Sequence, residues 1–214
     1  MTYIAIIADV IGSRKMEQRS EFQKTLKQVL SEINARYQQY IASDFVVIFG
    51  DEFQGLLVKN DRVMDIIFEI QLALAPVQCR FGIGIGTIDT DFSQSNPFEN
   101  DGPAYHRARD MVDYMKAHQS KQMQQYAKVR VHGSDDDALI NAALSMSSAM
   151  QARWTVRQTE IITAFIQSGS HQFATAKSLG ITQSSVAKAL QSSQYYTFRN
   201  ALDVIQEAIS RKMN

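Results

Sequence analysis

Residues 78–88, QCRFGIGIGTI, place glycine at every second position, Gly82, Gly84 and Gly86. In an extended chain alternate residues share one face, so these three leave a strand with one face stripped of side chains. Glycine weakens a strand, and three on one face mean that something must approach the backbone closely there. The chain must therefore build a sheet with this strand at a crowded position.

The flanking pattern supplies the rest of that sheet. Residues 3–10, YIAIIADV, form a short apolar run ending at an acid, a buried strand. Phe22, Leu26, Val29, Ile33, Tyr37 and Tyr40 recur at helical spacing on one face. DFVVIF (44–49) and FQGLLV (53–58) are strands joined by a tight turn at Gly50-Asp51-Glu52. Val63, Ile66, Ile67, Ile70 and Leu74 form a second amphipathic helix that Pro76 stops. After the glycine strand come a polar loop (89–103) containing Asn96-Pro97, a helix through Tyr105, Ala108, Met111, Val112 and Met115, and a strand at 127–131. The order β-α-β-β-α-β predicts an α+β, ferredoxin-like sheet with two helices on one face and the first and third strands adjacent at its centre. Asp135-Asp136-Asp137 can open a further helix through Met150, and beyond it the chain has helical patterning only. This divides the chain into a sheet domain, 1–150, and an all-helical domain, 151–214, with Trp154 as a packing anchor at the junction.

Strand adjacency carries chemistry, because it draws Asp9 toward Asp51 and Glu52. An acid alone at a hairpin tip is an ordinary turn residue. Here an acid also ends a buried apolar strand, and a second acidic pair is predicted beside it. Carboxylates so grouped are what Mg²⁺ or Mn²⁺ takes, with substrate phosphates completing the octahedron. Gly12-Ser13, a strand-to-helix turn, can present backbone N–H groups to an anion, with Arg14 next to it. Arg107 and Arg109 could hold phosphate or simply occupy a solvated helix face.

Phe49-Gly50-Asp51-Glu52-Phe53 between two strands resembles the signature turn of GGDEF domains, which belong to the wider palm group with class III nucleotide cyclases. IAIIADVIG resembles that group's first strand, RFGIGIGTI a later strand, and AYHRARDMVDYMKA its terminal helix. The resemblance covers roughly residues 3–118. It implies that Asp9 and Asp51 bind metal, that Glu52 assists the metal or an attacking hydroxyl, and that Gly50 and Lys116 meet the triphosphate. Phe49 departs from the pattern, standing where those domains carry their first glycine, and their guanine-reading residues have no evident counterparts. The whole chain, with GDEFQ in the turn and a helical tail, is also similar to the SatD family, a name that implies architecture rather than mechanism.

The tail has a different character. The 22 basic and 22 acidic residues cancel overall, but residues 151–214 carry 7 basic against 3 acidic, and residues 1–150 carry 15 against 19. FATAKSLGITQSSVAKAL (173–190) has Ala176, Gly180 and Val186 at helix-turn-helix spacing. In that reading Thr182, Gln183, Ser184, Ser185 and Lys188 face DNA, flanked by His171, Gln172 and Lys177. With a single lysine on the reading helix, tight binding would need a homodimer. Such helix pairs also serve as protein-binding or purely structural pieces. A lone cysteine, Cys79, excludes an internal disulfide, and the absence of a basic-flanked signal or a long apolar run predicts a cytoplasmic protein without membrane spans. Three functions fit these features: a nucleotide-responsive DNA-binding regulator, an active nucleotidyltransferase or cyclase using Asp9, Asp51 and Glu52, and a degenerate palm that scaffolds dimers.

Overall fold

The computed structural model describes residues 1–13, 16–58, 62–90, 99–118, 120 and 126–211. The sheet contains β1 (Tyr3–Val10), β2 (Ile41–Phe49), β3 (Glu52–Leu57), β4 (Cys79–Gly86) and β5 (Val129–His132). Their order is β2-β3-β1-β4-β5. The first four strands are mutually antiparallel where they pair, and β5 adds to β4 in parallel. This is the ferredoxin-like order, with β1 and β3 adjacent as expected and one additional edge strand.

Helices α1 (Arg19–Arg36) and α2 (Val63–Leu74) cover one face. There Ile4, Ile6, Ala8 and Val10 of β1 join Leu26, Leu30 and Ile33 of α1 in the principal core. The apolar period that runs on to Tyr37 and Tyr40 is only partly helical: α1 stops at Arg36, and residues 38–40 tighten into a 3-10 turn leading into β2.

The second face is covered as well, which the two-helix arrangement does not anticipate. Helix α3 (Pro103–His118) crosses it, burying Ala104, Tyr105, Ala108 and Val112 against Ala5, Ile7 and Leu56. The glycine face of β4 meets α3 itself. A Cβ on Gly82 would overlap the Ala108 carbonyl oxygen, one on Gly84 the Ala104 carbonyl oxygen, and one on Gly86 would lie 2.9 Å from the Ala104 nitrogen. Glycine on the strand and alanine on the helix let the two backbones nearly touch. The Asn96-Pro97 turn lies outside the described residues.

Helices α4 (Asp137–Gln151), α5 (Val156–Gln167), α6 (Gln172–Leu179), α7 (Gln183–Ser192) and α8 (Tyr195–Arg211) complete the chain. Trp154 packs edge-on between Phe68 of α2 and Phe198 of α8, with ring centroids 6.1 and 4.9 Å apart, and its indole N–H donates to the Ser193 carbonyl at 2.8 Å. Gln206 of α8 accepts from the backbone N–H of Met64 (3.0 Å) and Asp65 (3.3 Å), satisfying donors left open at the start of α2. Arg199 also pairs with Asp65 at 2.5 Å. The apolar core runs continuously from the sheet helices into α5–α8.

Between α6 and α7 the chain turns at Gly180, whose φ of 63° is the left-handed conformation that glycine adopts without strain. Ala176 and Val186 are buried on either side of it. Thr182 caps α7, its hydroxyl accepting from the Ser185 N–H at 3.1 Å. Thr182→Ala should cost about 1 kcal/mol in urea denaturation while Thr182→Ser stays close to wild type. Equal stability of all three proteins would show the cap to be inert. Among the described residues no helix is long and apolar enough to cross a membrane.

Candidate functional site

The sheet register sets out a row of charge. Asp9 stands opposite Glu52 on β3 and opposite Arg80 on β4, so the three side chains share one face across neighbouring strands. That is the face α3 covers. Arg109 and Lys116, two helical turns apart on α3, reach down to the same row. Arg109 forks onto Glu52 with both nitrogen–oxygen distances at 2.5 Å, the bidentate geometry that suits guanidinium and carboxylate. Arg80 donates to Asp9 Oδ2 at 3.1 Å, and the Lys116 ammonium lies 3.6 Å from the same oxygen.

Asp9 is the most enclosed of the three acids, 8% exposed. Burial pushes its carboxyl above the ordinary range, and Lys116 and Arg80 only partly offset that. Its second oxygen, Oδ1, is buried with no hydrogen-bond partner. A buried carboxylate oxygen left unpaired is costly and calls for an explanation.

Asp51 sits on the turn between β2 and β3, tied to the loop after β1. Ser13 donates to its Oδ2, Arg19 of α1 lies 3.8 Å from Oδ1, and its carbonyl oxygen accepts from the Val10 N–H at 3.2 Å. Gly50 has a φ of 57°, the left-handed conformation that favours glycine in the turn. Gln23 holds its carbonyl at 2.8 Å. Gly12 is also left-handed at 76°, and among the described residues nothing lies within 4 Å of where its Cβ would stand. Arg14 lies outside the described residues. Phe49, on the far side of the turn, is 80% exposed.

Asp9 and Glu52 are thus side by side, Asp51 is joined to the end of β1 by backbone and through Ser13, and Lys116 reaches Asp9. The three carboxylates do not, however, form one grip on an ion. Among the described residues no group of three or more His, Cys, Asp or Glu side chains gathers closely enough to hold a metal. Glu52 is held by Arg109, Asp9 by Arg80 and Lys116, and Asp51 lies near Arg19, so each acid is answered by its own cation. What the donor set does fit is the sparer arrangement usual for Mg²⁺, in which the protein supplies one or two carboxylates and phosphates supply the rest. Asp9, with its unpartnered Oδ1, and Asp51, whose side chain is 30% exposed, are the candidates for that role.

Sequence reasoning missed Arg80 and Arg19. Arg80 had a readable signal: it stands two residues before Gly82, hence on the crowded face of a buried strand, where a charge requires a partner. Arg107 has a structural role, donating to the Ile85 carbonyl. In the tail, Thr182, Gln183, Ser184, Ser185 and Lys188 are all exposed at the start of α7. Gln183 donates to Gln172 at 2.9 Å, which itself donates to the Tyr196 hydroxyl at 3.1 Å.

Comparison with solved structures finds distant likenesses. A bacterial light-regulated adenylyl cyclase is 14% identical, with 72% of this chain and 81% of that one covered at a TM-score of 0.45. The guanylate cyclase domain of RhGC from Catenaria anguillulae in complex with GTP is 16% identical, covering 64% and 80% at 0.37. A regulator of polyketide synthase expression from Bifidobacterium adolescentis is 13% identical, covering 99% and 86% at 0.30. Among curated proteins no significant relative was found. The profile of the SatD family matches residues 3–207, nearly the full length, and the protein belongs to the SatD family.

Proposed function

We propose that the sheet edge around Asp9 and Asp51 binds a nucleoside triphosphate together with Mg²⁺ or Mn²⁺, and that the α6–α7 unit is a helix-turn-helix through which the bound state is passed to DNA. The observation that carries this reading is the buried, unpartnered Oδ1 of Asp9 beside an open glycine loop and a lysine that is 40% exposed. Asp9 and Asp51 would hold the ion. Gly12, Ser13, Gly50 and Lys116 would meet the phosphates, the backbone N–H groups of the loop and the ammonium each favouring an anion. When bound, the ion neutralises phosphate charge and orients the triphosphate.

Nucleotidyl transfer would ask Glu52 to take a proton from a hydroxyl that attacks the α-phosphorus. Both Glu52 oxygens already accept from Arg109, which favours binding without turnover. At the other end, the exposed hydroxyls, amide and ammonium of Thr182, Gln183, Ser184, Ser185 and Lys188 suit a DNA groove, with two copies needed to supply enough positive charge.

Calorimetric titration with each of the four NTPs in Mg²⁺ or Mn²⁺ tests the first half. At least one should bind, and Asp51→Asn should weaken it tenfold or more in the presence of metal. No heat and no melting shift with any NTP would overturn the assignment, and pyrophosphate release lost in Asp51→Asn would replace it by the transferase reading. DNA retardation that weakens steeply with salt supports the second half; none at low salt refutes it.

A further inference from the structure

Helices α6 and α7 each begin on a glutamine, Gln172 and Gln183, and the turn at Gly180 brings the two amides together. Gln183 donates through Nε2 to Gln172 Oε1 at 2.9 Å, and Gln172 donates through its own Nε2 to the Tyr196 hydroxyl at 3.1 Å. The far end of this relay is anchored. The Tyr196 ring stands edge-on to buried Phe165 of α5 and to Tyr195, with ring centroids 6.5 and 5.6 Å apart. Three helices, α6, α7 and α8, thus meet in one hydrogen-bonded line at the protein surface.

A primary amide carries two N–H donors and one carbonyl acceptor. Gln183 commits one N–H to Gln172, and among the described residues its carbonyl oxygen and its other N–H have no partner. An exposed glutamine samples many rotamers, and fixing it costs free energy that binding has to supply. Here its neighbours fix it in the free protein. One donor and one acceptor are then presented together at the start of a helix whose first residues are exposed. The adjacent hydroxyls are occupied in capping: Thr182 Oγ1 accepts from the Ser185 N–H and lies 2.9 and 2.8 Å from the Ser184 and Ser185 hydroxyls.

We infer that Gln183 reads an adenine in the major groove of double-stranded DNA, with Gln172 and Tyr196 as positioning residues that aim its amide. This deepens, and rests on, the reading of α6–α7 as a DNA-binding helix-turn-helix. In the major groove adenine presents an acceptor, N7, beside a donor, the N6 amino group, so the free N–H of Gln183 gives to N7 and its carbonyl oxygen takes from N6. Guanine shows two acceptors there and sets its O6 against the glutamine carbonyl. Cytosine offers only a donor, and thymine an acceptor beside a methyl group. A glutamine held in place by its neighbours therefore favours one base of the four.

The test selects duplexes with the full chain from a pool carrying a randomised central stretch, with and without the four NTPs and Mg²⁺. Wild type should enrich an adenine at one fixed position per half-site, and replacing it by guanine should weaken retardation about tenfold. Gln183→Ala should bring the four bases at that position within about twofold of one another. Gln183→Glu, of the same length but offering only acceptors, should move the preference to cytosine. Gln172→Leu and Tyr196→Phe keep the packing and remove the relay. Each should cut the preference for adenine over guanine about threefold, the cost of ordering one freed side chain. A relay that only braced the helices would leave base preference where it was. Far-ultraviolet circular dichroism checks folding, and Tyr196→Phe decides the relay should Gln172→Leu not fold. Retardation of no duplex under either condition overturns the DNA-binding reading and this assignment with it. Binding without base preference, or with no adenine position that responds to Gln183→Ala, overturns this assignment alone and leaves that reading standing.

Discussion

Gly84→Ala will leave the protein about 3 kcal/mol less stable in urea, or unfolded outright, although it adds only one methyl group. Overpacking a tight core usually costs about 1–3 kcal/mol. This site belongs at the top of that range because the obstructing atoms are backbone. The new Cβ would run into the carbonyl oxygen of Ala104 and come within 2.5 Å of the Ala108 nitrogen. A flexible side chain could swing aside, whereas a helix backbone moves only with the whole of α3. Neither Gly82 nor Gly84 has a positive φ, so the loss does not come from a forbidden conformation. Where space permits, the same substitution gains about 0.4–1 kcal/mol by restricting the unfolded chain. The sign of the measured change is therefore diagnostic. A Gly84→Ala protein as stable as wild type would mean that α3 does not lie where its contacts with β4 put it. Displacing α3 would also pull Arg109 off Glu52 and Lys116 off Asp9, so the charged row should loosen with it.

The approach on β4 was legible in the alternation of glycines, but its partner was not read, though the signal existed. Ala104 and Ala108, four residues apart on α3, form the small-residue stripe that answers the glycine stripe. Strand adjacency was legible from the element order, which sets β1 beside β3 in a ferredoxin-like sheet; β1 and β3 are buried on both faces, so no alternation fixes their register, and the pairing of Asp9 with Glu52 comes from the structure. The pairing of charges was not legible in the same way. Which cation an acid takes depends on how far a helix slides along a sheet, and periodicity says nothing about that. Three acids at one sheet edge read as a common grip on a metal. Arg109 and Arg80 convert two of them into members of ion pairs, leaving one oxygen of Asp9 uncommitted. In the tail the two helices and their turn were legible, because Ala176, Gly180 and Val186 act locally on the helices they join, while a role for that pair stays a proposal.

Arg80→Met should be the most damaging single change in the charged row, and its cost should depend on pH. Arg80 and Asp9 are both buried, with side-chain exposures of 9% and 11%. Removing one member of such a pair leaves the other as an uncompensated charge, typically a loss of about 3–5 kcal/mol. Lys116 remains 3.6 Å from Asp9, which places the expected loss at the lower end, about 3 kcal/mol at pH 7. Asp9 already has a carboxyl pKa raised from 3.8, chiefly by burial, with Lys116 and Arg80 opposing the rise. A carboxyl whose folded pKa is raised contributes stability that is fully present below the unfolded value and lost as pH climbs through the folded one. Without Arg80 the folded value rises further, so the variant loses more over a wider interval above 3.8 than wild type does. The stability gap between the two proteins must then narrow as pH falls from 7 toward 4, because Asp9 takes up its proton and the unpaired charge disappears. Part of the gap will persist at every pH, from the lost packing of the arginine stem and its other contacts. Urea denaturation of both proteins at several pH values measures this directly. A gap that is constant or widens toward low pH would mean that the Arg80–Asp9 contact is a packing contact rather than an electrostatic one, and that Asp9 does not hold an ionised carboxylate ready for a cation.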